Sequence, residues 1–465
     1  MRVAITGGLL ADEGGAAPGT LLVRDGRIEA VLALGADIGP VDELIDATGL
    51  SVLPGAIDLH THLGDMDQSD RETFFTGTRA AACGGVTTVF EHPLSDPPTL
   101  TGDDYAAKLE LAARQARIDV GLWGALTPGR LDAMRDQAEL GAAGFKAFTC
   151  SSGGSYPPVD LATLEAGMEI AAKLGALVLV HCEDGALVDL GAASLQAPAV
   201  PLTAERFQAS RPPEVELAAT LQVLELAGRT GCRLQIVHVS APAVVDAILA
   251  ARAHGVQVTF EHTPHHLLLD AAEAAQLGGA AHCAPPVRER ALRDGLWARL
   301  RAGAPAIAAS DHGPFRAAHK QTSGDDLRGV PLGIQGVQET PALILDACVH
   351  GDPTGGAPVG LGRAVSMLSA EPARAAGLWP RKGTLRPGAD ADLVLWDLAT
   401  PRILDAATQQ RGMHQWSPYD GRTVRATPTR VLLRGATLAV RGELSAALTG
   451  QIVRPTLAPQ LPATR

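Results

Sequence analysis

The stretch Pro54-Gly-Ala-Ile-Asp-Leu-His60-Thr-His62 is an apolar run that ends in two histidines one residue apart. This composition is typical of a buried β-strand. Because side chains alternate between the two faces of a strand, His60 and His62 are expected to project in the same direction. Such a pair can bind a metal ion, although a single histidine at a strand end is more often a hydrogen-bonded core residue. Further ligands have to come from elsewhere in the chain.

Short apolar stretches alternate with alanine-rich helical stretches between residues 54 and 375. The predicted strands are residues 56–62, 86–92, 119–125, 144–149, 176–182, 233–239, 256–262 and 306–312. The predicted helices are residues 74–83, 103–117, 161–174, 214–230, 242–254 and 290–301. This repeated alternation predicts an α/β fold, the (β/α)8 TIM barrel, in which catalytic residues lie at the carboxyl ends of the strands.

Both ends of the chain carry short strand patterns instead. Residues 21–32 place two apolar runs around an Asp-Gly pair, which is a strong hairpin signal. Residues 382–440 contain a turn followed by a strand and then another hairpin pattern. The simplest arrangement is a small β-sandwich domain built from residues 1–53 and 380–465, with a barrel domain of residues 54–379 inserted between them.

Polar residues recur at the carboxyl ends of the predicted barrel strands. His181 and His238 end two of them, Asp311 ends the last, and Lys146 lies inside an apolar run. Each could singly be a structural residue. Because all barrel strands end at one mouth, their coincidence there predicts a metal site. The predicted ligands are His60, His62, Lys146, His181, His238 and Asp311. Such a set suits zinc, and manganese, cobalt and iron are also compatible with it.

Lys146 is unusual in such a set, because an ammonium group buried in a strand is costly unless it is paired. One interpretation is an ion pair with Asp311 or Glu183. The other is carboxylation of the amine by CO₂, which turns the cation into a carboxylate with one oxygen for each of two metal ions. Six ligands suit two metal ions better than one, so the sequence favours carboxylation.

Composition and charge restrict the function further. The chain has 465 residues, of which 46% are hydrophobic and 19% charged, as is typical of a globular protein with a large core. A formal charge of −12 without a basic stripe argues against a nucleic-acid partner. The six cysteines form no Cys-x-x-Cys pair, and no apolar run is long enough to span a membrane. We therefore expect a cytoplasmic protein with free thiols.

The strand-end motifs resemble those of the cyclic-amidohydrolase branch of the amidohydrolase superfamily. This branch holds allantoinases, hydantoinases or dihydropyrimidinases, and dihydroorotases. The motifs are Asp58-Leu-His-Thr-His, Gly144-Phe-Lys, Val180-His-Cys-Glu-Asp, Val237-His-Val-Ser and Ser310-Asp-His-Gly-Pro. The resemblance covers nearly the whole chain, and it implies a small cyclic amide as substrate and a homo-oligomer, either a dimer or a tetramer.

The resemblance also implies a centre of two divalent metal ions bridged by carboxylated Lys146. His60, His62 and Asp311 would bind one ion, and the two histidines that end strands five and six would bind the other. Metal ions of this kind supply hydroxide from water near neutral pH, and the hydroxide attacks the ring carbonyl. Asp311 would take the proton and pass it to the leaving ring nitrogen. No serine or cysteine nucleophile is needed, so Ser240 and Cys182 are interpreted as neighbours of the site.

Residues around the barrel mouth favour one ring within this branch. Dihydroorotase-like proteins carry an arginine two residues after the second histidine, where this chain has Gly64. Hydantoinases place a tyrosine a few residues after the bridging lysine, whereas here the stretch Lys146-Ala-Phe-Thr-Cys-Ser151-Ser152 offers only aliphatic hydroxyl groups before Tyr156. Other stretches, such as Cys283-Ala-Pro-Pro-Val-Arg, are most similar to allantoinases, which convert allantoin to allantoate.

By the same resemblance, Ser151 and the backbone of Cys283 and Ala284 would contact the ring. One departure from allantoinases is the loop Asp65-Met-Asp-Gln-Ser-Asp70, which stands where they carry a Glu-Pro-Gly-Arg-type sequence. This loop is expected to line the mouth, so the substituent on the ring is left open. The alternatives are a hydantoinase or dihydropyrimidinase, less favourably a dihydroorotase, and remotely a non-catalytic scaffold.

Overall fold

The computed structural model describes residues 1–151, 154–195, 200–322, 325–445 and 449–456. The N-terminal strands are β1 (Arg2–Asp12), β2 (Gly15–Arg24), β3 (Arg27–Ala33), β4 (Glu43–Asp46) and β5 (Ser51–Pro54). β2 and β3 form the predicted hairpin, and Asp25 and Gly26 at its tip both have positive φ, as a tight two-residue turn requires. β1 pairs with β4 through its first half and with β5 through its second half.

The central part of the chain forms the predicted parallel barrel. Its strands are β6 (Ala56–Thr61), β7 (Val86–Glu91), β8 (Asp119–Leu122), β9 (Gly124–Ala125), β10 (Gly144–Phe148), β11 (Leu177–His181), β12 (Arg233–Ile236), β13 (Val258–His262) and β14 (Ile307–Ala308). The predicted strand 119–125 is divided at Trp123, so that β8 pairs with β7 and β9 pairs with β10. The ring closes where Thr61 pairs with His312, just beyond β14.

The α-helices of the described residues are α1 (Phe74–Cys83), α2 (Gly102–Gln115), α3 (Ala133–Glu139), α4 (Leu161–Leu174), α5 (Gly185–Ser194), α6 (Ala204–Ser210), α7 (Pro213–Thr230), α8 (Pro242–Ala253), α9 (Pro264–Leu268), α10 (Ala271–Leu277), α11 (Arg290–Arg301), α12 (Ala317–Lys320), α13 (Thr340–His350), α14 (Leu361–Val365), α15 (Glu371–Ala375) and α16 (Ala406–Gln409). A 3-10 helix spans Gly278–Ala281 and a π-helix spans Ser366–Ala370. The six predicted helices correspond to α1, α2, α4, α7, α8 and α11, within two residues at either end. Capping residues define several of these ends. The Thr73 side chain accepts an N–H bond at the start of α1, and left-handed Gly175 ends α4.

The C-terminal segment adds further strands, β15 (Leu393–Asp397), β16 (Arg402–Ile403), β17 (Thr423–Val424), β18 (Thr427–Leu433), β19 (Ala436–Val440) and β20 (Glu443–Leu444). Four of them join the N-terminal strands in one nine-stranded sheet of order β20-β19-β18-β15-β5-β1-β2-β3, with β4 beside β1. Both ends of the chain therefore form a common β unit, which has its own apolar cluster around Val3, Ile5 and Leu393. The division at residues 53 and 379 stays a prediction.

Packing of the barrel determines which strand residues face its interior. Val180 of β11 packs with Leu164 and Met168 of α4 in the cluster between strands and helices. The alternate residue Leu179 belongs to a separate cluster formed by strands from around the ring. His181 follows two residues later on the same face.

Within the described residues, no helix is long and apolar enough to cross a membrane.

Candidate active site

Two histidines and an aspartate meet where the barrel ring closes. Oδ1 of Asp311 lies 3.1 Å from Nε2 of His60 and 3.1 Å from Nε2 of His62. One candidate ligand atom from each residue lies within 4.8 Å of the other two. His60 is buried, and the side chain of His62 is 19% exposed. Two imidazole nitrogens and a carboxylate at this spacing fit a divalent cation.

Charge and backbone conformation at Asp311 both mark an unusual position. Burial works against its charged form, but the imidazoles of His60, His62 and His238 hold the pKa of its carboxyl group well below the ordinary range. Asp311 and His238 both have positive φ, 48° and 38°, which residues other than glycine rarely adopt. Backbone strain of this kind clusters at functional sites, where the surrounding structure has to maintain it.

Glu261 of β13 holds the opposite edge of the His60 ring. One of its oxygens contacts Nδ1 of His60 in a short hydrogen bond and accepts the backbone N–H of His238 at 3.2 Å. The other oxygen accepts a bond from the Gln235 side chain at 2.7 Å. A carboxylate on Nδ1 favours a proton there, which leaves the Nε2 lone pair directed at Asp311 free for a cation. Glu261 was not predicted as a site residue, although a carboxylate inside an apolar strand is unusual enough to have indicated one.

His181 and His238 form the second pair of nitrogen donors. Nδ1 of His181 lies 2.9 Å from Nε2 of His238, and both rings are buried. Nε2 of His181 lies 2.8 Å from the Glu183 carboxylate, which also pairs with Arg211. The outer nitrogen of His181 is therefore held by a carboxylate, as that of His60 is. The two inner nitrogens face each other and can bind one cation only as lone-pair donors.

Lys146 lies fully buried in β10. Its Nζ has no hydrogen-bond partner among the described residues and lies 4.7 Å from the centroid of the Phe148 ring. The alternative ion pair is not formed, since Asp311 contacts His60 and His62. Glu183 likewise binds His181 and Arg211 instead of Lys146. Burial lowers the pKa of Lys146 to about 8, which increases the neutral amine that reacts with CO₂. A buried amine without a partner fits a group that becomes a carboxylate on a metal centre.

All six predicted ligands line one cavity of about 720 Å³. The predicted substrate contacts Ser151, Cys283 and Ala284 line the same cavity, whereas Ser152 lies outside the described residues. Tyr156 also reaches the cavity, but its hydroxyl group donates to the Lys146 carbonyl at 2.7 Å. The structure thus brings the predicted site residues together around one space.

Nearby serine and cysteine side chains are not placed as nucleophiles. The hydroxyl group of Ser240 donates to the buried carboxylate of Glu216. Burial raises the pKa of the Cys283 thiol to about 12 and raises that of Cys182 further still. Thiols with such pKa values stay protonated and unreactive at neutral pH. The interpretation of Ser240 and Cys182 as neighbours therefore agrees with their surroundings.

Two further residues of the site were not assigned from the sequence. His92 directly follows β7, and its ring centroid lies 4.1 Å from that of His60. Lys320 of α12 donates to three backbone carbonyl oxygens, those of His282 at 3.2 Å, Pro331 at 2.8 Å and Gly333 at 2.7 Å. It thereby joins two loops of the cavity wall. His92 could have been found from the sequence, because it ends a predicted strand as the candidate ligands do. Nothing in the sequence near Lys320 indicated its contacts with the loops.

Comparison with known proteins identifies the family. Residues 51–438 match the Amidohydrolase family. The chain belongs to this family. This amidohydrolase is 40% identical over 436 residues to an allantoinase of Rubrobacter xylanophilus, with 93% of each chain covered. It is also 33% identical to an L-hydantoinase of Paenarthrobacter aurescens, with 94% of each chain covered. The structure of an L-hydantoinase (dihydropyrimidinase) from Arthrobacter aurescens has a TM-score of 0.92 and 31% identity, covering 97% of this chain and 99% of that one.

The predicted fold and family are thereby confirmed. Amidohydrolases of this kind act on C–N bonds of cyclic amides and generally bind metal ions, and the donor groups at the barrel mouth of this chain fit that chemistry. The metal, the state of Lys146 and the ring that is opened are separate questions.

Proposed function

We propose that this amidohydrolase opens a cyclic amide ring by hydrolysis and that its substrate is allantoin, which is converted to allantoate. The observation that carries the proposal is the convergence of the six predicted ligands at the same cavity. Identity of 40% to an allantoinase favours allantoin among the rings that such a cavity could accept.

Two divalent metal ions are the proposed cofactors, with zinc the best match to imidazole and carboxylate donors. His60, His62 and Asp311 would hold one ion, and the neighbouring histidine pair would hold the other. Carboxylated Lys146 would bridge them. The grouping of donor atoms supports this division, and the unpaired buried amine supports the carboxylation.

Asp311 is the proposed proton carrier. When bound, divalent cations lower the pKa of water and polarise the carbonyl group under attack. The Asp311 carboxylate is ionised and lines the cavity, so it can accept a proton there. The resulting carboxyl group would donate that proton to the ring nitrogen as the C–N bond breaks. Ser151 and the backbone of Cys283 and Ala284 would orient the ring.

A hydantoinase or dihydropyrimidinase is the second candidate, supported by the L-hydantoinase relative and by the TM-score of 0.92. The position of Tyr156 argues against it, because its hydroxyl group binds the Lys146 carbonyl. Dihydroorotase is less favoured still. Dihydroorotases carry an arginine at the position of Gly64. Gly64 has a φ of 71°, a conformation that is strained for arginine because arginine has a Cβ atom and glycine has none.

A substrate panel tests the proposal. The zinc-reconstituted enzyme is assayed with allantoin, hydantoin, dihydrouracil and dihydroorotate, and its metal content is measured in parallel. We expect preferential hydrolysis of allantoin by a protein with two metal ions per chain. Preference for hydantoin or dihydrouracil would establish the second candidate instead. A protein that stays metal-free and inactive after reconstitution would support the scaffold alternative.

A further inference from the structure

The loop between His62 and α1 presents an unexpected surface to the cavity. Its sequence is acidic, with aspartates at positions 65, 67 and 70. The loop residues that line the cavity beyond His62 are nevertheless Gln68 and Arg71. The wall of the mouth therefore carries hydrogen-bond donors where the sequence suggested carboxylates.

The aspartates of this loop are engaged elsewhere or face solvent. Asp65 is buried and accepts the backbone N–H bonds of Met66 at 2.9 Å and Phe74 at 2.8 Å, which ties the loop to the first turn of α1. Asp70 pairs with Arg316, and both side chains are about half exposed. The buried carboxylate of Asp65 thus holds the loop in shape, whereas the exposed ion pair of Asp70 contributes little to it.

Arg71 is held rigidly at the cavity wall. Its guanidinium group stacks on the ring of Phe315, with Cζ 3.9 Å from the ring centroid. Nη1 donates to Oε1 of Gln68 at 3.0 Å. Phe315 is itself fixed, because its carbonyl oxygen accepts the indole N–H of Trp416 at 2.7 Å. A cation held in this way needs little reorganisation to meet a ligand.

The charge of Arg71 lacks the partner that its neighbours have. Among the guanidinium groups that line the cavity, that of Arg211 pairs with Glu183 and that of Arg328 pairs with Asp326. Arg71 forms no ion pair with any described carboxylate, and its Nε is buried without a hydrogen-bond partner among the described residues. Burying a charged group with unmet donors is costly, and a ligand that accepts a bond from the edge of the guanidinium group that lines the cavity offsets part of that cost.

We propose that Arg71, oriented by Gln68 and Phe315, is the specificity-determining residue for the substituent on the ring. It selects substituents with a hydrogen-bond acceptor, such as a ureido carbonyl or a carboxylate, over alkyl and aryl groups. This role presupposes the ring hydrolysis proposed above, and it defines the substrate class as cyclic amides with an acceptor-bearing substituent. The acceptor completes the hydrogen bonding of a guanidinium group that the protein leaves open.

The test compares Arg71→Met with a matched control, Arg316→Met, which removes an arginine paired on the outside of the same mouth. Both variants and the parent enzyme are assayed with allantoin, hydantoin-5-acetate, 5-isopropylhydantoin and unsubstituted hydantoin. For Arg71→Met, kcat/KM should fall by about 10- to 100-fold for allantoin and for the acetate, the effect of one lost bond to a charged group. Hydantoin, the alkyl hydantoin and the metal content should be nearly unaffected, and Arg316→Met should retain the discrimination of the parent enzyme.

Equal losses for allantoin and unsubstituted hydantoin would overturn the inference, because Arg71 would then only support the mouth. A parent enzyme that prefers the alkyl hydantoin would overturn it as well, while leaving ring hydrolysis intact. If no ring is opened at all, the proposed function fails and this role fails with it. Should Arg71→Met not fold, Arg71→Lys replaces it, and the lysine should retain more activity on the acetate than on allantoin, since its ammonium is a point charge without the planar fork.

Discussion

The floor and the mouth of the cavity are built on different parts of the fold. On the floor, candidate ligands lie in strands or within three residues after them, and the outer nitrogens of His60 and His181 are held by Glu261 and Glu183. At the mouth, Arg71 and the wall around Cys283 lie on loops. The whole barrel fixes strand ends, whereas a few local contacts fix each loop. The floor is therefore suited to determine the reaction, and the mouth to determine the substrate.

Removing the lysine of the floor should have the largest effect. Lys146→Ala is expected to lose bridged binding of two metal ions and to lower kcat by about 10³-fold or more, because the chemistry depends on the metal centre. Metal analysis and turnover measure this. Lys382→Met is the control, since Lys382 is also buried but pairs with Asp119 and Asp392 away from the cavity. Near-normal turnover of Lys146→Ala would refute the carboxylated bridge.

Changing the group behind a ligand should cost less than changing the ligand. Glu261→Gln keeps the shape of the side chain but removes the negative charge beside Nδ1 of His60. We expect metal affinity or activity to fall by about 10- to 100-fold. Glu216→Gln is the matched control, because Glu216 is equally buried but binds Ser240. Equal losses of metal in the two variants would indicate general destabilisation instead.

A change in the wall of the mouth should alter KM more than kcat. Lys320→Met removes the bonds to three carbonyl groups in the two wall loops. KM should rise by about tenfold, with metal content retained, because positioning of the ring is lost. Lys382→Met again serves as the control, with lower thermal stability but unchanged KM. If kcat and metal content fall together in Lys320→Met, the mouth and the floor are not independent.

The same lysine predicts a pH dependence at the mouth. Burial lowers the pKa of Lys320 to about 7. Below that pH its ammonium form has three N–H donors for three carbonyl groups, whereas the neutral amine has two. KM should therefore increase as the pH rises through about 7, and this increase should be absent in Lys320→Met. Steady-state kinetics over pH 6 to about 9 would detect it.

The smallest effect is expected at Tyr156. Tyr156→Phe removes one hydrogen bond to the Lys146 carbonyl and should cost about 1 kcal/mol of unfolding free energy. Activity on allantoin should change by less than about threefold, well under the loss caused by removing an oxyanion donor. Thermal unfolding and kinetics measure the two quantities. A loss of about 100-fold would show that the hydroxyl group acts on the substrate, as in the hydantoinase alternative.

The predictions from the sequence succeeded where a local pattern carried the information. The eight strands and six helices follow from periodicity over short stretches, and the predicted ligands lie in these strands or within three residues of their carboxyl ends. The last predicted strand, 306–312, is a regular strand only over Ile307–Ala308. Beyond it, the Ala309 N–H still donates to the His262 carbonyl at 3.1 Å, and His312 pairs with Thr61 across the closing seam. The acidic loop was harder to interpret, since composition does not reveal which way a side chain points.

The barrel, the β unit at its ends and the set of metal-binding candidates could be predicted from the order of the amino acids, because strand period and residue type are local properties. The contact between Glu261 and His60, 201 residues apart in the chain, could be found only in the folded protein. The same holds for the orientation of Asp65 toward the protein and of Arg71 toward the cavity. These choices depend on contacts between distant segments, whose energies appear only when the folded chain brings charges and their partners together.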